Sequence, residues 1–263
     1  MKIFILTMDD PLYTKPFIKK IITERKDDIV GVTTTKGNRL TISKNKSKTE
    51  YLFSLLLIMG LPFFIKNSLI TLRFKLKKKF SSYGLGRDPS ILAFANELNI
   101  NTYHIKTPNA KSFLNILKEK EPDIIINQSQ SILKAPLLSI PKIGTLNRHN
   151  ALLPKNRGRL TPFWVLYKEE KETGVSIHFV EEGIDSGDII VQEKYPVTKK
   201  DTFRTLVNKN YKIAPVAMLK AIDLLENGFT DFIPNDDEKA SYNTTPNLKE
   251  AWHYRKKRFF KRK

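Results

Sequence analysis

Asn147, His149 and Asp185 are the residues whose types and spacing can do chemistry. The first two stand in Asn147-Arg148-His149-Asn150-Ala151-Leu152-Leu153-Pro154, and Asp185 follows 36 positions after His149, in Gly183-Ile184-Asp185-Ser186-Gly187-Asp188. A side-chain amide donates to an oxygen that gains negative charge in a tetrahedral intermediate. An imidazole donates to the same oxygen or moves a proton. A carboxylate nearby fixes the tautomer of that imidazole and holds it in place. Such a set suits acyl transfer in which the attacking group comes from the substrate rather than from the protein. Each piece alone carries little weight, because an Asn-x-His triplet is common and an Asp among glycines ordinarily forms a turn.

Composition narrows the chemistry further. The 263 residues contain no Cys, which excludes disulfides, thiolate nucleophiles and zinc–thiolate sites. No HExxH, P-loop or GxGxxG pattern occurs, so metalloprotease, NTPase and dinucleotide-binding readings have no support, and no metal is expected. His178 reads as a packed or surface imidazole in a strand, and His104 and His253 have no partner pattern. The net charge of +19, from 46 Lys+Arg against 27 Asp+Glu, favours nucleic acid, acidic lipid or a phosphorylated substrate. The alternative is a Lys-rich composition with no specific target. Part of the excess is local, in a basic tail over 255–263 that reads as frayed. The apolar start over 1–7 is too short for a signal peptide and is followed by Asp9-Asp10, so it reads as a buried strand of a cytoplasmic protein.

Those side chains need a scaffold, and apolar runs of strand length alternate with amphipathic, helix-length segments. Strands are expected over 3–6, 29–33, 101–104, 123–127, 144–147, 175–180 and 189–195. Helices are expected over 16–25, with Phe17, Ile18, Ile21 and Ile22 on one face, and over 89–98, 110–120 and 163–170. A long helix over 201–227 has Asp201 as its N-cap. From 229 the chain reads as polar and irregular. The β-α-β-α rhythm predicts an α/β, Rossmann-like fold with a mostly parallel sheet and helices on both faces. In such sheets ligands bind beyond the carboxyl ends of strands, and Asn147 and His149 fall just past one. The length fits one catalytic domain over 1–228 with a short extension over 229–263.

One segment breaks the rhythm. Residues 51–65 carry no charge, and a basic cluster, Arg73-Phe74-Lys75-Leu76-Lys77-Lys78-Lys79, follows. The uncharged run is shorter than the roughly 20 residues a spanning helix needs, and Gly60 and Pro62 interrupt it. Residues 45–85 therefore read as a helical insertion. It either packs on the domain, forms a homodimer interface, or lies through 51–80 on an anionic membrane, which places the protein peripherally at the inner face.

The motifs together carry a resemblance. Asn-Arg-His-Asn-Ala-Leu-Leu-Pro, then Arg157-Gly158, then Glu172-Thr173-Gly174-Val175-Ser176-Ile177, then Ile184-Asp185-Ser186-Gly187-Asp188-Ile189 resemble the formyltransferase family, whose pattern runs N-x-H-x-S-L-L-P, R-G, E-T-G-V-T and L-D-x-G-x-I. That family includes methionyl-tRNA, glycinamide ribonucleotide and sugar N-formyltransferases. The resemblance covers 123–226 well and the first strands loosely. It implies a formyltransferase-type fold and transfer of a formyl group from 10-formyltetrahydrofolate to an amine. Asn147 and His149 would stabilise the oxyanion, and Asp185 would support His149 and route the amine's proton. By register the folate would be cradled largely by main chain at Gln130, Ser131, Ile132 and Leu133, at Ala151, Leu152, Leu153 and Pro154, and along the loop 180–185 that begins with Val180 and Glu181. Three departures stand out. Ala151 replaces the family serine, Arg148 fills a position usually apolar, and Thr7-Met8-Asp9-Asp10-Pro11 replaces a Gly-rich phosphate loop. Asp9 and Asp10 there either meet an amine or sugar hydroxyls or are solvated.

The acceptor implied by the resemblance is the amine of a nucleotide-linked amino-sugar in surface-polysaccharide synthesis. The missing Gly-rich loop disfavours glycinamide ribonucleotide. A methionyl-tRNA formyltransferase-like enzyme fits the charge, but 229–263 is too short for that family's tRNA-binding domain, so nucleic acid is the weaker partner. A non-catalytic member that binds folate or a protein is the third reading, opposed by the presence of all three polar residues.

Overall fold

Ile3, Phe4, Ile5 and Leu6, and again Ile124, Ile125 and Ile126, are wholly buried, as central strands covered on both faces must be. A computed structural model describes residues 1–35 and 47–260, with main chain alone at 259 and 260. Residues 45 and 46 of the predicted insertion and 261–263 of the basic tail lie outside it.

The strands are β1 (Ile3–Met8), β2 (Ile29–Thr35), β3 (Thr102–His104), β4 (Ile124–Asn127), β5 (Gly144–His149), β6 (Arg157–Gly158), β7 (Glu172–Phe179), β8 (Ile189–Pro196) and β9 (Tyr242–Asn243). The helices are α1 (Thr14–Glu24), α2 (Lys48–Met59), α3 (Leu61–Ser81), α4 (Ile91–Glu97), α5 (Lys111–Lys120), α6 (Ala135–Leu138), α7 (Thr161–Tyr167), α8 (Phe203–Glu226) and α9 (Leu248–Phe260). Seven strands form one sheet in the order β3-β2-β1-β4-β5-β7-β8. The first five are parallel, β7 adds antiparallel to β5, and β8 adds antiparallel to β7.

One face packs Ile3, Ile5 and Ile126 against Ile18 and Ile22 of α1, Ile91 of α4, and Met218 and Ile222 of α8. The other face packs Phe4, Leu6 and Ile125 against Phe113 and Leu117 of α5 and Leu137 of α6. The mostly parallel α/β sheet expected from the sequence is the fold of the chain.

Several boundaries differ from the sequence reading for tertiary reasons. β5 runs on through His149, because Arg148 and His149 pair with Ile177 and Ser176 of β7. Asp201 does not cap α8. Thr202 does, through a reciprocal pair in which Thr205 N donates to Thr202 Oγ1 and Thr202 N donates to Thr205 Oγ1. Asp201 instead accepts from Thr198 N, Thr205 Oγ1 and Lys209 Nζ.

The stretch after 229, expected to be irregular, with a frayed tail only over 255–263, is tied down at several points along its described length. Ile233 bridges Ile189, β9 pairs with β6, and α9 packs on α2. Among the described side chains of α9, Ala251 and Tyr254 are the buried ones that join the cluster of Ile58, Phe63, Phe163 and Trp164, too few to show a helical period.

Candidate active site

Sheet register builds the site. Asn127 of β4 lies beside Asn147 of β5, and Asn147 beside His178 of β7. A strand's period of two then puts Asn147 and His149 on one face and Arg148 on the other. Both residues therefore lie within the last three positions of β5 rather than in the loop beyond it.

Each side chain is held by a named neighbour. Gln128 Nε2 donates to Asn147 Oδ1 at 2.9 Å, which points the Asn147 amide group toward His178 Nε2 at 3.3 Å and Asp185 Oδ1 at 3.5 Å. His149 Nε2–H donates to the Asn156 carbonyl at 2.8 Å, which leaves His149 Nδ1 facing Asp185 Oδ2 at 3.4 Å. The expectation that the carboxylate sets the tautomer is thereby modified, since the Asn156 carbonyl fixes it. Burial opposes charge on Asp185. The His149 and His178 imidazoles, the Gly158 N–H at 2.9 Å and Arg157 outweigh it and hold the carboxyl below its ordinary value. Asp185 is ionised at neutral pH.

His178, read from sequence as an uninvolved strand imidazole, is packed but belongs to this cluster. Its Nδ1–H donates to the Phe179 carbonyl at 2.6 Å, so Nε2 accepts from Asn147. Burial pushes its pKa down to about 4, and the Asp185 charge only partly offsets that. His178 is neutral at pH 7 and serves as an acceptor.

A pH dependence follows. Between the unfolded value of about 6.5 and the folded value of about 4, the unfolded chain binds a proton that the folded chain does not. Stability is fully present above that window and falls as pH drops through it, by at most about 1.4 kcal/mol per pH unit. Urea unfolding through this range measures the slope, and His178→Asn is expected to flatten it. An unchanged slope in the variant would place the titration elsewhere.

The Asp185 loop is anchored from below. Asn235 Nδ2 donates to the carbonyls of Asp185 at 2.8 Å and Gly187 at 2.9 Å. Arg157, fully buried, donates through Nη2 to Asn235 O and Oδ1 at 2.8 and 2.9 Å, and through Nη1 to Asp237 and the Tyr242 hydroxyl. Gly158 has φ +98, and a Cβ there would lie 2.2 Å from the Asn243 carbonyl oxygen, so β6 and β9 touch only because this residue is glycine. Arg157-Gly158 is thus a structural pair that delivers one N–H to Asp185.

The three residues open on a cavity of about 890 Å³. Gln130, Ser131, Ile132 and Leu133 line it, as do Val180 and Glu181. Ala151, Leu152, Leu153 and Pro154 do not. The Ala151 carbonyl accepts from Ser176 Oγ, Leu153 N donates to Ser176 Oγ, and the Leu153 carbonyl accepts from Gln192 Nε2, so that turn supports β5 from within. Asp9 and Asp10 are structural. Asp10 Oδ2 accepts from the backbone N–H of Tyr13 and Thr14 at the start of α1, and Asp9 joins Ile91 N to Lys78.

Arg148 is accommodated by aromatic rings. Its guanidinium lies 4.8 Å from the Phe17 ring centre and 4.4 Å from that of Tyr211, which stacks on Tyr13 at 4.6 Å. Arg148, Tyr13 and Tyr211 all line the cavity. Gln128, His178, Asn156 and Asn235 escaped the sequence reading. For Gln128 a signal existed, its place directly after the apolar strand 124–127.

An amide, an imidazole and a carboxylate in contact at the wall of one cavity, at the carboxyl end of a doubly wound sheet, are groups that can support acyl transfer. Residues 75–222 match the family described as formyl transferase, more than half of the chain, and the chain belongs to that family. A methionyl-tRNA formyltransferase from Syntrophus aciditrophicus is 33% identical over 171 residues, 63% of this chain and 54% of that protein. One from Kosmotoga olearia is 30% identical over 201 residues, 71% of this chain and 64% of that protein. The chain thus spans about half to two thirds of the length of these curated relatives. The fold is that of the N-formyltransferase from Helicobacter canadensis, solved in complex with folinic acid and dTDP-3-aminofucose. The two share 18% identity and a TM-score of 0.55, over 93% of this chain and 71% of that one.

Proposed function

We propose that this chain transfers a formyl group from 10-formyltetrahydrofolate to the primary amine of a nucleotide-linked amino-sugar in surface-polysaccharide synthesis. The observation that carries the reading is the contact of Asn147, His149 and Asp185 at the wall of one cavity. The residues present fit the formyl donor: the segments 129–133 and 180–184 line the cavity with apolar Ile132, Leu133, Val180 and Ile184, surfaces suited to a flat ring.

The acceptor amine attacks the formyl carbon, a carbon–nitrogen bond forms, the bond to N10 of the donor breaks, and tetrahydrofolate leaves. Asn147 gives up its long 3.5 Å contact with Asp185 and donates to the developing oxyanion. His149 Nδ1 and ionised Asp185 take the proton shed by the amine and return it to the departing nitrogen.

Two observations support a sugar nucleotide as acceptor. The Asp10 carboxylate holds the N–H groups of Tyr13 and Thr14 where a phosphate loop would stand, and Tyr13, Tyr211 and Arg148 give the cavity stacking surfaces for a base or sugar ring. The sequence relatives favour a second reading, methionyl-tRNA as acceptor.

Release of tetrahydrofolate is measured with nucleotide-linked 3-amino and 4-amino sugars beside methionyl-tRNA. Turnover with a sugar alone is expected. Turnover with tRNA alone would transfer the assignment to the second reading, and donor binding without turnover on any acceptor would leave a non-catalytic member.

A further inference from the structure

α3 buries one face and leaves the other bare. Phe63 and Asn67 face the protein, and Lys78 pairs with Asp9. Leu61, Ile65, Leu69, Leu72, Leu76 and Phe80 are each 45–59% exposed. Their spacings of four, four, three, four and four residues follow the helical period, so they form one stripe roughly 100° wide along the whole helix. By the same periodicity Lys66, Arg73 and Lys77 flank the stripe on one side, and Lys75 and Lys79 on the other. No acidic residue occurs anywhere from 51 through 87.

An apolar face bordered on both sides by cations is the arrangement of a helix lying in a lipid headgroup layer, its lysine stems reaching outward to phosphates. Spanning is excluded by the break at Gly60, where φ is +77, and no helix among the described residues is long and apolar enough to cross a membrane. A second copy of the chain is a poor occupant, because it would set these cation rows against identical ones, whereas anionic lipid neutralises them. Leu52 and Leu72 are exposed and also line the cavity, so its rim meets this surface.

We propose that the outer face of α3 docks the protein on an anionic bilayer and brings the mouth of the acceptor cavity to the lipid surface. The docking stands independently of the formyl-transfer reading, since none of the stripe residues except Leu72 borders the cavity.

The test is co-sedimentation with vesicles of phosphatidylcholine alone and of phosphatidylcholine with phosphatidylglycerol. The wild-type protein is expected to pellet with the anionic vesicles only. Leu69→Glu combined with Leu76→Glu, two exposed positions outside the cavity lining, should weaken that binding by about tenfold or more. Melting temperature and turnover of a water-soluble acceptor should stay unchanged. Wild-type protein left in the supernatant with both vesicle types would overturn the proposal, as would a double variant that still pellets. A self-association seen by sedimentation velocity, abolished by the double variant and unaccompanied by vesicle binding, would assign the face to a second copy instead. Loss of turnover in Asn147 variants with vesicle binding intact keeps the two readings separable.

Discussion

Asn147→Ala is expected to lower kcat for formyl transfer by about 10²–10³-fold, equivalent to roughly 2.7–4 kcal/mol of barrier, and His149→Ala, which removes the proton carrier, by about 10²–10⁴-fold. The size of the effect follows from how the amide is held. Gln128 fixes its oxygen and His178 Nε2 accepts one of its protons, so the amide is oriented before substrate arrives. Alanine removes the donor and leaves Gln128 and His178 without their common partner. For His149, both ring nitrogens are committed, to the Asn156 carbonyl and toward Asp185, and no other imidazole can substitute because His178 is kept neutral by burial. Steady-state tetrahydrofolate release measures both variants. Turnover within about tenfold of wild type in both would remove these residues from the chemistry.

Arg157→Met is expected to cost about 3 kcal/mol of folding stability and to lower kcat as well. The guanidinium is fully buried, and two of its nitrogens serve Asn235 twice, Asp237 and Tyr242. Methionine fills the volume but leaves the Asn235 carbonyl without a donor. Asn235 also carries the Asp185 and Gly187 carbonyls, so the loss reaches the carboxylate beside His149. Arg157→Lys should rescue little, since one ammonium cannot reproduce a planar fork. Urea denaturation read beside kcat tests both halves. A variant as stable as wild type would mean that water replaces the fork, and an unstable variant with normal kcat would uncouple the strap from the site.

Much of the scaffold was legible because its signals are local. The short apolar runs at 3–6 and 124–126, set between amphipathic helix-length segments, have the form of central strands covered on both faces, and Phe17, Ile18, Ile21 and Ile22 mark a helix face by spacing alone. Asn147, His149 and Asp185 were legible as types at a given spacing, and the structure brings them into contact. Hidden were the features created by pairing between distant segments. β5 reaches His149 only because β7 lies beside it, and that pairing draws His178 into the cluster. Thr202 and Asp201 are both competent caps, and the choice between them depends on Lys209 and Thr198. The turn 151–154 was assigned to the donor by register, yet in the fold its hydrogen bonds go to Ser176 and Gln192.

β9 and the strap that precedes it cross back to pair with β6 and to carry the Asp185 loop through Asn235. A chain made from its N-terminus therefore completes the sheet, and even sets Asn147 and His149 at the end of β5, well before the carboxylate loop has its support. The centre is finished by segments synthesised after everything else it contains. Chains grown just past β8 carry the whole sheet but leave that loop unsupported, so the placing of Asp185 becomes a late step of folding rather than a property of the sheet.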